Sequence, residues 1–137
     1  MEFGKIKLEN KDLFLDKLEE IYMYSKRLID ESEKNLYIPA CIKDKKDYRE
    51  KVIRGLNLIH RLSKMIIDDI SNRSNDEDFF NRFSNNITTL NEFVMEILLN
   101  YIEDKKIIKG LNKIIFDINI IMSTFIKSVN EKCDCNI

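Results

Sequence analysis

The sequence predicts an all-α protein, an up-down-up-down antiparallel four-helix bundle, and three observations predict it. Three stretches, roughly Asp44–Ser71, Asn75–Tyr101 and Asp104–Val129, follow one another with almost no linker, and each repeats its large apolar residues at three- and four-residue steps. That period gathers apolar side chains on one stripe of a helix, and the stripe has to be buried against another element. A fourth stretch of the same kind, Asn10–Glu33, precedes them. Helices joined by short turns pack antiparallel, so four in a row close into a bundle. Composition agrees: 3 Gly and 1 Pro in 137 residues, with 34% charged and 44% hydrophobic, favour long uninterrupted helices over a turn-rich β fold. A chain of this length has room for one domain. It divides into an N-terminal arm over 1–9, the bundle over 10–129 and a flexible C-terminal tail over 130–137.

In the arm, Phe3-Gly4-Lys5-Ile6-Lys7-Leu8 alternates only weakly and is read as peripheral. Asn10 or Asp12 caps the first helix, whose stripe is Phe14, Leu18, Ile21, Ser25 and Leu28, broadened by Leu15, Tyr22 and Ile29. Pro39 pushes Ile38 to extended backbone, which makes Asn35–Ile42 the longest connection. Asp44 is the expected N-cap of the second helix, with Asp47 adding a carboxylate at its positive end. At 100° per residue Val52, Leu56, Ile59, Ser63, Ile66 and Ile70 share a narrow arc, while Lys46, Arg54, Arg61 and Lys64 fall on the far side. Ser74-Asn75-Asp76-Glu77 reads as a capping box opening the third helix. Its stripe is Phe80, Phe83, Ile87, Leu90, Val94, Ile97 and Tyr101, and Phe79, Met95 and Tyr24 are expected off their core stripes. Asp104 caps the fourth helix, with Ile107, Leu111, Ile114, Ile118, Ile121, Phe125 and Val129 inside. Gly110 within that helix costs about 1 kcal/mol relative to Ala, offset if its missing side chain lets a neighbour approach.

The longest purely apolar runs are four residues or fewer, and Met1-Glu2-Phe3-Gly4-Lys5 lacks a signal peptide's hydrophobic region. A soluble, cytoplasmic chain is expected. Cys41, Cys133 and Cys135 are then free thiols. The formal net charge of -1 conceals a segregation: residues 43–73 carry nine Lys/Arg against five Asp/Glu, 74–104 one against seven, and 105–137 six against three. A basic second helix suggests a polyanion surface on Lys46, Arg54, Arg61 and Lys64, with Tyr48 nearby as a stacking group. The acidic third helix offers Asp78, Glu92 and Glu96 for partner or subunit contacts. Compensation between neighbouring helix faces explains the same charges without a ligand.

Catalytic chemistry finds little support. No P-loop, Gly-rich dinucleotide turn, nucleophile elbow or His-Glu-x-x-His occurs. His60 is the single histidine, near the core boundary, where a packed and hydrogen-bonded role is the ordinary one. With Arg54 it resembles the loose Arg-x(4–6)-His pattern of HEPN-type ribonucleases, which implies an acid/base His60 and a phosphate-stabilising Arg54. On the helix, however, the two point more than 100° apart. Cys133-Asp134-Cys135 lacks nearby partners for a four-ligand metal site. Asp68-Asp69 and Asp76-Glu77-Asp78 bracket a helix junction and read as surface acids. The expectation is no enzyme, no cofactor and no metal.

From Tyr22 to Val129 the order of features resembles the small four-helix-bundle proteins that include the ribosomal-RNA intervening-sequence proteins and the accessory variability determinant of diversity-generating retroelements. The likeness rests on Ile38-Pro39 after the first helix, Lys43–Arg49 followed by Val52-Ile53, Leu56, Ile59 and Leu62, Arg82-Phe83 opening the third, and Phe125-Ile126-Lys127-Ser128 closing the fourth. Ser123-Thr124-Phe125-Ile126 stands where that family often carries a Gly-Gly-Trp-Ile-like segment. The resemblance implies a homo-oligomeric, non-catalytic accessory that binds a reverse transcriptase and nucleic acid of a mobile element or phage. The expected function is accordingly a self-associating accessory module with nonspecific RNA or DNA contacts and no membrane role. Two alternatives stand beside it. One is a viral or phage inhibitor of a protein partner, Bcl-2-like or anti-defence; the other is a HEPN-like ribonuclease using Arg54 and His60.

Overall fold

In the computed structural model, backbone is described for residues 10–100 and 102–134, and side chains over the same span except 99–100 and 129–134. Four helices follow in order: α1 (Lys11–Asn35), α2 (Lys45–Arg73), α3 (Phe79–Asn100) and α4 (Lys105–Asp134). Among the described residues, α1 packs side by side on α2 and α4, and α3 packs on the same two. The directions alternate. The start of α1 meets the end of α4, where Asn10 Nδ2 donates to Ser128 Oγ. At the opposite end the Tyr37 N–H, just after α1, donates to Asp104 Oδ2 at 2.8 Å, just before α4. The all-α bundle expected from the periodicity is the fold observed.

The core is the four stripes. Phe14, Leu18, Ile21 and Leu28 from α1 meet Val52, Leu56, Ile59, Ile66 and Ile70 from α2, all buried. Phe83, Ile87, Leu90, Val94 and Ile97 from α3 and Ile107, Leu111, Ile114, Ile118, Ile121 and Phe125 from α4 complete it. One end is aromatic: Phe83 lies 5.1 Å from both Phe14 and Phe125, and Phe80 lies 4.7 Å from Phe125, between ring centroids. Two glycines set helix spacing. A Cβ on Gly110 would sit 2.5 Å from Leu28 Cδ2 on α1, and one on Gly55 would sit 2.5 Å from Ile97 Cδ1 on α3. The expected close approach at Gly110 is therefore present, and Gly55 provides a second.

The helix starts follow side-chain chemistry. Asp44 accepts the Asp47 N–H at 3.0 Å, and Asp104 Oδ1 accepts those of Lys106 and Ile107 at 2.9 and 3.2 Å. Asn10 precedes α1 without a side-chain cap, since its amide serves Ser128 instead.

The α2–α3 junction corrects the sequence reading. Ser74 keeps helical backbone (φ -66, ψ -14) and ends α2, so it cannot open α3 as a capping box. The first α3 bond instead runs from the Arg82 N–H to the Asp78 carbonyl. Arg82 draws the junction together: it pairs with Asp69 on α2 at 2.8 Å and reaches Asp76 and Asp78 as well. Asp69 is thereby structural and only 12% exposed in its side chain, while its neighbour Asp68 is the surface acid expected. With α3 starting at Phe79, that residue falls one turn before Phe83 and is 4% exposed, so Phe79 is core and Phe80 only half-buried. Residues 1–9, Tyr101, the side chain of Val129 and those of Cys133 and Cys135 lie outside the description. Helical backbone continues through Asp134, past the expected boundary of the tail.

Candidate functional site

The outward faces of the bundle carry whatever chemistry it has. His60 belongs to the α1–α2 seam: its ring stacks on Tyr22 at 4.0 Å, and Nδ1 lies 3.1 Å from the Tyr22 carbonyl and 3.0 Å from Ser25 Oγ. A carbonyl only accepts, so the Tyr22 contact is a hydrogen bond in the tautomer that carries its proton on Nδ1. Arg54 faces the other way, into a shallow α2–α3 groove of about 280 Å³ with Lys51, Gly55, Leu58, Phe93, Glu96 and Ile97. His60 and Arg54 are not brought together.

Of the four expected polyanion contacts, Lys46, Arg54, Arg61 and Lys64 are all exposed on α2. They do not form an uninterrupted cationic face. Lys64 pairs with Asp68 at 3.3 Å, Lys51 pairs with Asp47 at 3.1 Å, and Glu50 lies beside Arg54 and Arg61. Leu58 (43% exposed) and Met65 (48%) stand in the same row as Arg54 and Arg61, so the stripe alternates arginine with apolar side chains. Neither arginine has a carboxylate within ion-pair distance among the described residues. Tyr48 is buried, and burial pushes its phenol upward from the usual range, so it offers no ring for stacking.

The three expected partner contacts separate. Asp78 is held by Arg82, Glu92 is exposed on the outer face of α3, and Glu96 edges the α2–α3 groove. Met95 and Tyr24 are half-buried, with Tyr24 packed against the core and under the Arg27 guanidinium at 5.3 Å. Cys41 is exposed and reduced. Among the described residues, no group of three or more His, Cys, Asp or Glu gathers as a metal site, and no helix is long and apolar enough to cross a membrane.

A face that the segment charge counts obscure lies on α4. From Lys105 to Ser128 the sole acid is Asp117, and Asp117 is 0% exposed, turned into the α1–α4 seam. Between Lys105 and Ser128 the solvent side of α4 therefore presents no carboxylate. It presents exposed Lys105, Lys109 and Lys127, the half-exposed Lys113, and between them Phe116, 58% exposed, with Lys113 Nζ 5.4 Å from its ring centre. Lys106, beside them, reaches Glu31 only at 3.9 Å. From Lys105 to Lys127 the row spans about 33 Å at about 1.5 Å per residue. The sequence carried the signal as a run of lysines at positions 105, 109, 113 and 127 with the one acid on the buried arc. Averaging charge over residues 105–137 hid it.

Asp117 itself is unusual. Its Oδ1 accepts from Lys113 at 3.1 Å and lies 4.0 Å from Lys17 of α1, while Oδ2 has no partner. Burial, which disfavours the carboxylate, raises its pKa above the usual range, with Glu20 adding to the rise and Lys113 and Lys17 opposing it. Comparison with known protein families, curated proteins and solved structures gives no match for this chain.

Proposed function

We propose that the chain is a non-enzymatic binding module that takes a single-stranded nucleic acid on the outer face of α4 and serves as an accessory to an enzyme acting on that nucleic acid. One observation carries this reading: between Lys105 and Ser128 the solvent side of α4 bears lysines, an exposed aromatic ring and no carboxylate. Lys105, Lys109 and Lys127 supply phosphate contacts along a row long enough for several nucleotides, and Phe116 supplies an apolar ring face on which a base can stack. Asn112 and Asn119 add donors and acceptors beside them. The overall pI near 5.9 limits nonspecific attraction, so affinity rests on this local face. Nothing in this reading requires a reaction: His60 spends its Nδ1 on the α1 backbone, and Arg54 is remote from it. An association with a reverse transcriptase of a mobile element or phage fits the same role.

The test is fluorescence anisotropy with a labelled oligo-uridylate across a salt series. Binding should weaken linearly in log-log terms as salt rises. Reversing Lys105, Lys109 and Lys127 together to Glu should flatten that slope by about 2, at about 0.7 per lost phosphate contact on a single strand. Phe116→Ala should weaken binding at every salt concentration and leave the slope in place. Equal binding by the lysine reversal variant and the parent chain would refute the assignment.

A further inference from the structure

A separate surface pair, away from α4, points to what assembles these modules. On α2 the outward stripe reads Arg54, Leu58, Arg61, Met65 and then Asp68. On α1 the outward stripe reads Asp12, Asp16, Glu19, Met23 and then Lys26 and Arg27. Both step through i, i+4, i+7 and i+11, so each forms a straight row on its helix. Both carry an exposed methionine at the fourth place, Met65 at 48% and Met23 at 63%. Their charges are opposite, and both rows change sign just after the methionine.

Among the described residues no cation pairs with Asp12, Asp16 or Glu19, and no carboxylate pairs with Arg54 or Arg61. Some surface charges along these helices are satisfied locally, as in Lys26–Asp30, Lys51–Asp47 and Lys64–Asp68. Among the described residues, the acids of the α1 row and the arginines of the α2 row are thus left to pair with another molecule.

We infer that the α1 stripe of one copy docks on the α2 stripe of another. Laid parallel with residue 12 beside residue 54, the rows bring Asp12 to Arg54, Asp16 over Leu58, Glu19 to Arg61, Met23 to Met65, and Lys26 with Arg27 to the region of Asp68. The Glu19–Arg61 pair then adjoins the Met23–Met65 contact, and arginine and methionine are both enriched at protein interfaces. A nucleic acid suits the α2 row less well, because half of its central positions are apolar and Asp68 closes it. The two stripes are different surfaces on adjacent helices, so the contact is heterologous. Because α1 and α2 run antiparallel within a copy, each added copy is turned end over end relative to the last, and the assembly grows as an open filament. Such repetition multiplies the α4 face, which raises the avidity of a weak single contact. The inference goes beyond the nucleic-acid reading and stands or falls without it, since α4 takes no part in the interface.

The experiment uses the full chain in light scattering at low and moderate salt, with circular dichroism to verify folding. The parent chain should show a mass several times that of one copy at low salt. Arg54→Glu with Arg61→Glu should reduce it to a single copy, and so should Asp12→Lys with Glu19→Lys. A chain carrying all four substitutions has both rows reversed and should regain the higher mass, as should an equal mixture of the two single-face variants. Any one of three results overturns the inference: a parent chain that is a single copy at low salt, a single-face variant that keeps the parent's mass, or loss of mass that neither the fourfold variant nor the mixture restores. RNA binding by the α4 face is read separately and decides neither outcome.

Discussion

Asp117 is the residue on which stability and pH meet. A fully buried carboxylate with one unpartnered oxygen is costly, and the Lys113 and Lys17 ammoniums compensate only part of its desolvation. Because burial raises its folded-state pKa above the unfolded one, the folded chain holds this proton more tightly. The group therefore contributes stability at pH below its unfolded value, and that contribution is lost as pH rises through the folded value. Acidification from neutral into the upper carboxylate range should stabilise the protein through this group. Asp117→Asn should remove that part of the pH profile and be at least as stable as the parent at pH 7, by chemical denaturation at a series of pH values. A variant that is several kcal/mol less stable at pH 7 would mean that the charged pair with Lys113 outweighs desolvation. Periodicity could not flag this residue, because an Asp between Phe116 and Ile118 reads equally well as a boundary acid. Only the packing of α1 on α4 decides that it turns inward. The same holds for Asp69 and Arg82, thirteen residues apart in sequence, whose pairing depends on how the α2–α3 turn folds back. Asp44 and Asp104, by contrast, were legible because capping is local chemistry.

At the scale of elements, two glycines and one cap set how the helices meet. Gly110→Ala adds helix propensity worth about 1 kcal/mol, yet its Cβ would run into the branched end of Leu28, with Cδ2, Cδ1 and Cγ at 2.5, 3.0 and 3.1 Å. Overpacking of that kind costs about 1–3 kcal/mol, so a net loss is expected in urea unfolding. Gly55→Ala meets mainly the terminal Cδ1 of Ile97, with Cγ1 at 2.8 Å, and a rotation about that side chain relieves part of the clash. It should be nearer neutral than Gly110→Ala, and the reverse ranking would contradict this account of the two seams. Asp104 does two jobs, capping α4 through Oδ1 and accepting the Tyr37 N–H through Oδ2. Asp104→Ala should cost about 2 kcal/mol, at the upper end for a lost cap, because it also frees the α1–α2 connection. Hydrogen exchange should then quicken at Tyr37 as well as at Ile107. The stripes that bury these helices were readable from residue spacing alone. The start of α3 was not, since Ser74-Asn75-Asp76-Glu77 satisfies a capping pattern in sequence while Ser74 remains helical in the folded chain.

For the whole molecule, the bundle follows from four apolar stripes and short turns, and it would tolerate many different surfaces. Function therefore has to be read from what the faces present to solvent. The outer face of α2 was legible as basic from the sequence, but the interleaving of Arg54 and Arg61 with Leu58 and Met65 acquires meaning only once those side chains are seen to be exposed. The outer face of α4 from Lys105 to Ser128 was not legible as a unit, because the single acid of that stretch is removed by burial. On the proposed reading, the lysine face of α4 and the arginine-methionine stripe of α2 give one bundle two kinds of contact, one toward phosphates and one toward protein. Screening separates them, since a lysine–phosphate row weakens steeply between low and moderate salt while apolar contacts persist.

The most direct measurement is the change in light-scattering mass when a short single-stranded RNA is added to the purified chain at low salt, repeated at moderate salt. The account predicts that the scattering species gains RNA mass at low salt and releases it as salt is raised. An unchanged mass at low salt, with RNA in excess over the protein, would contradict the assignment of α4 as a nucleic-acid face.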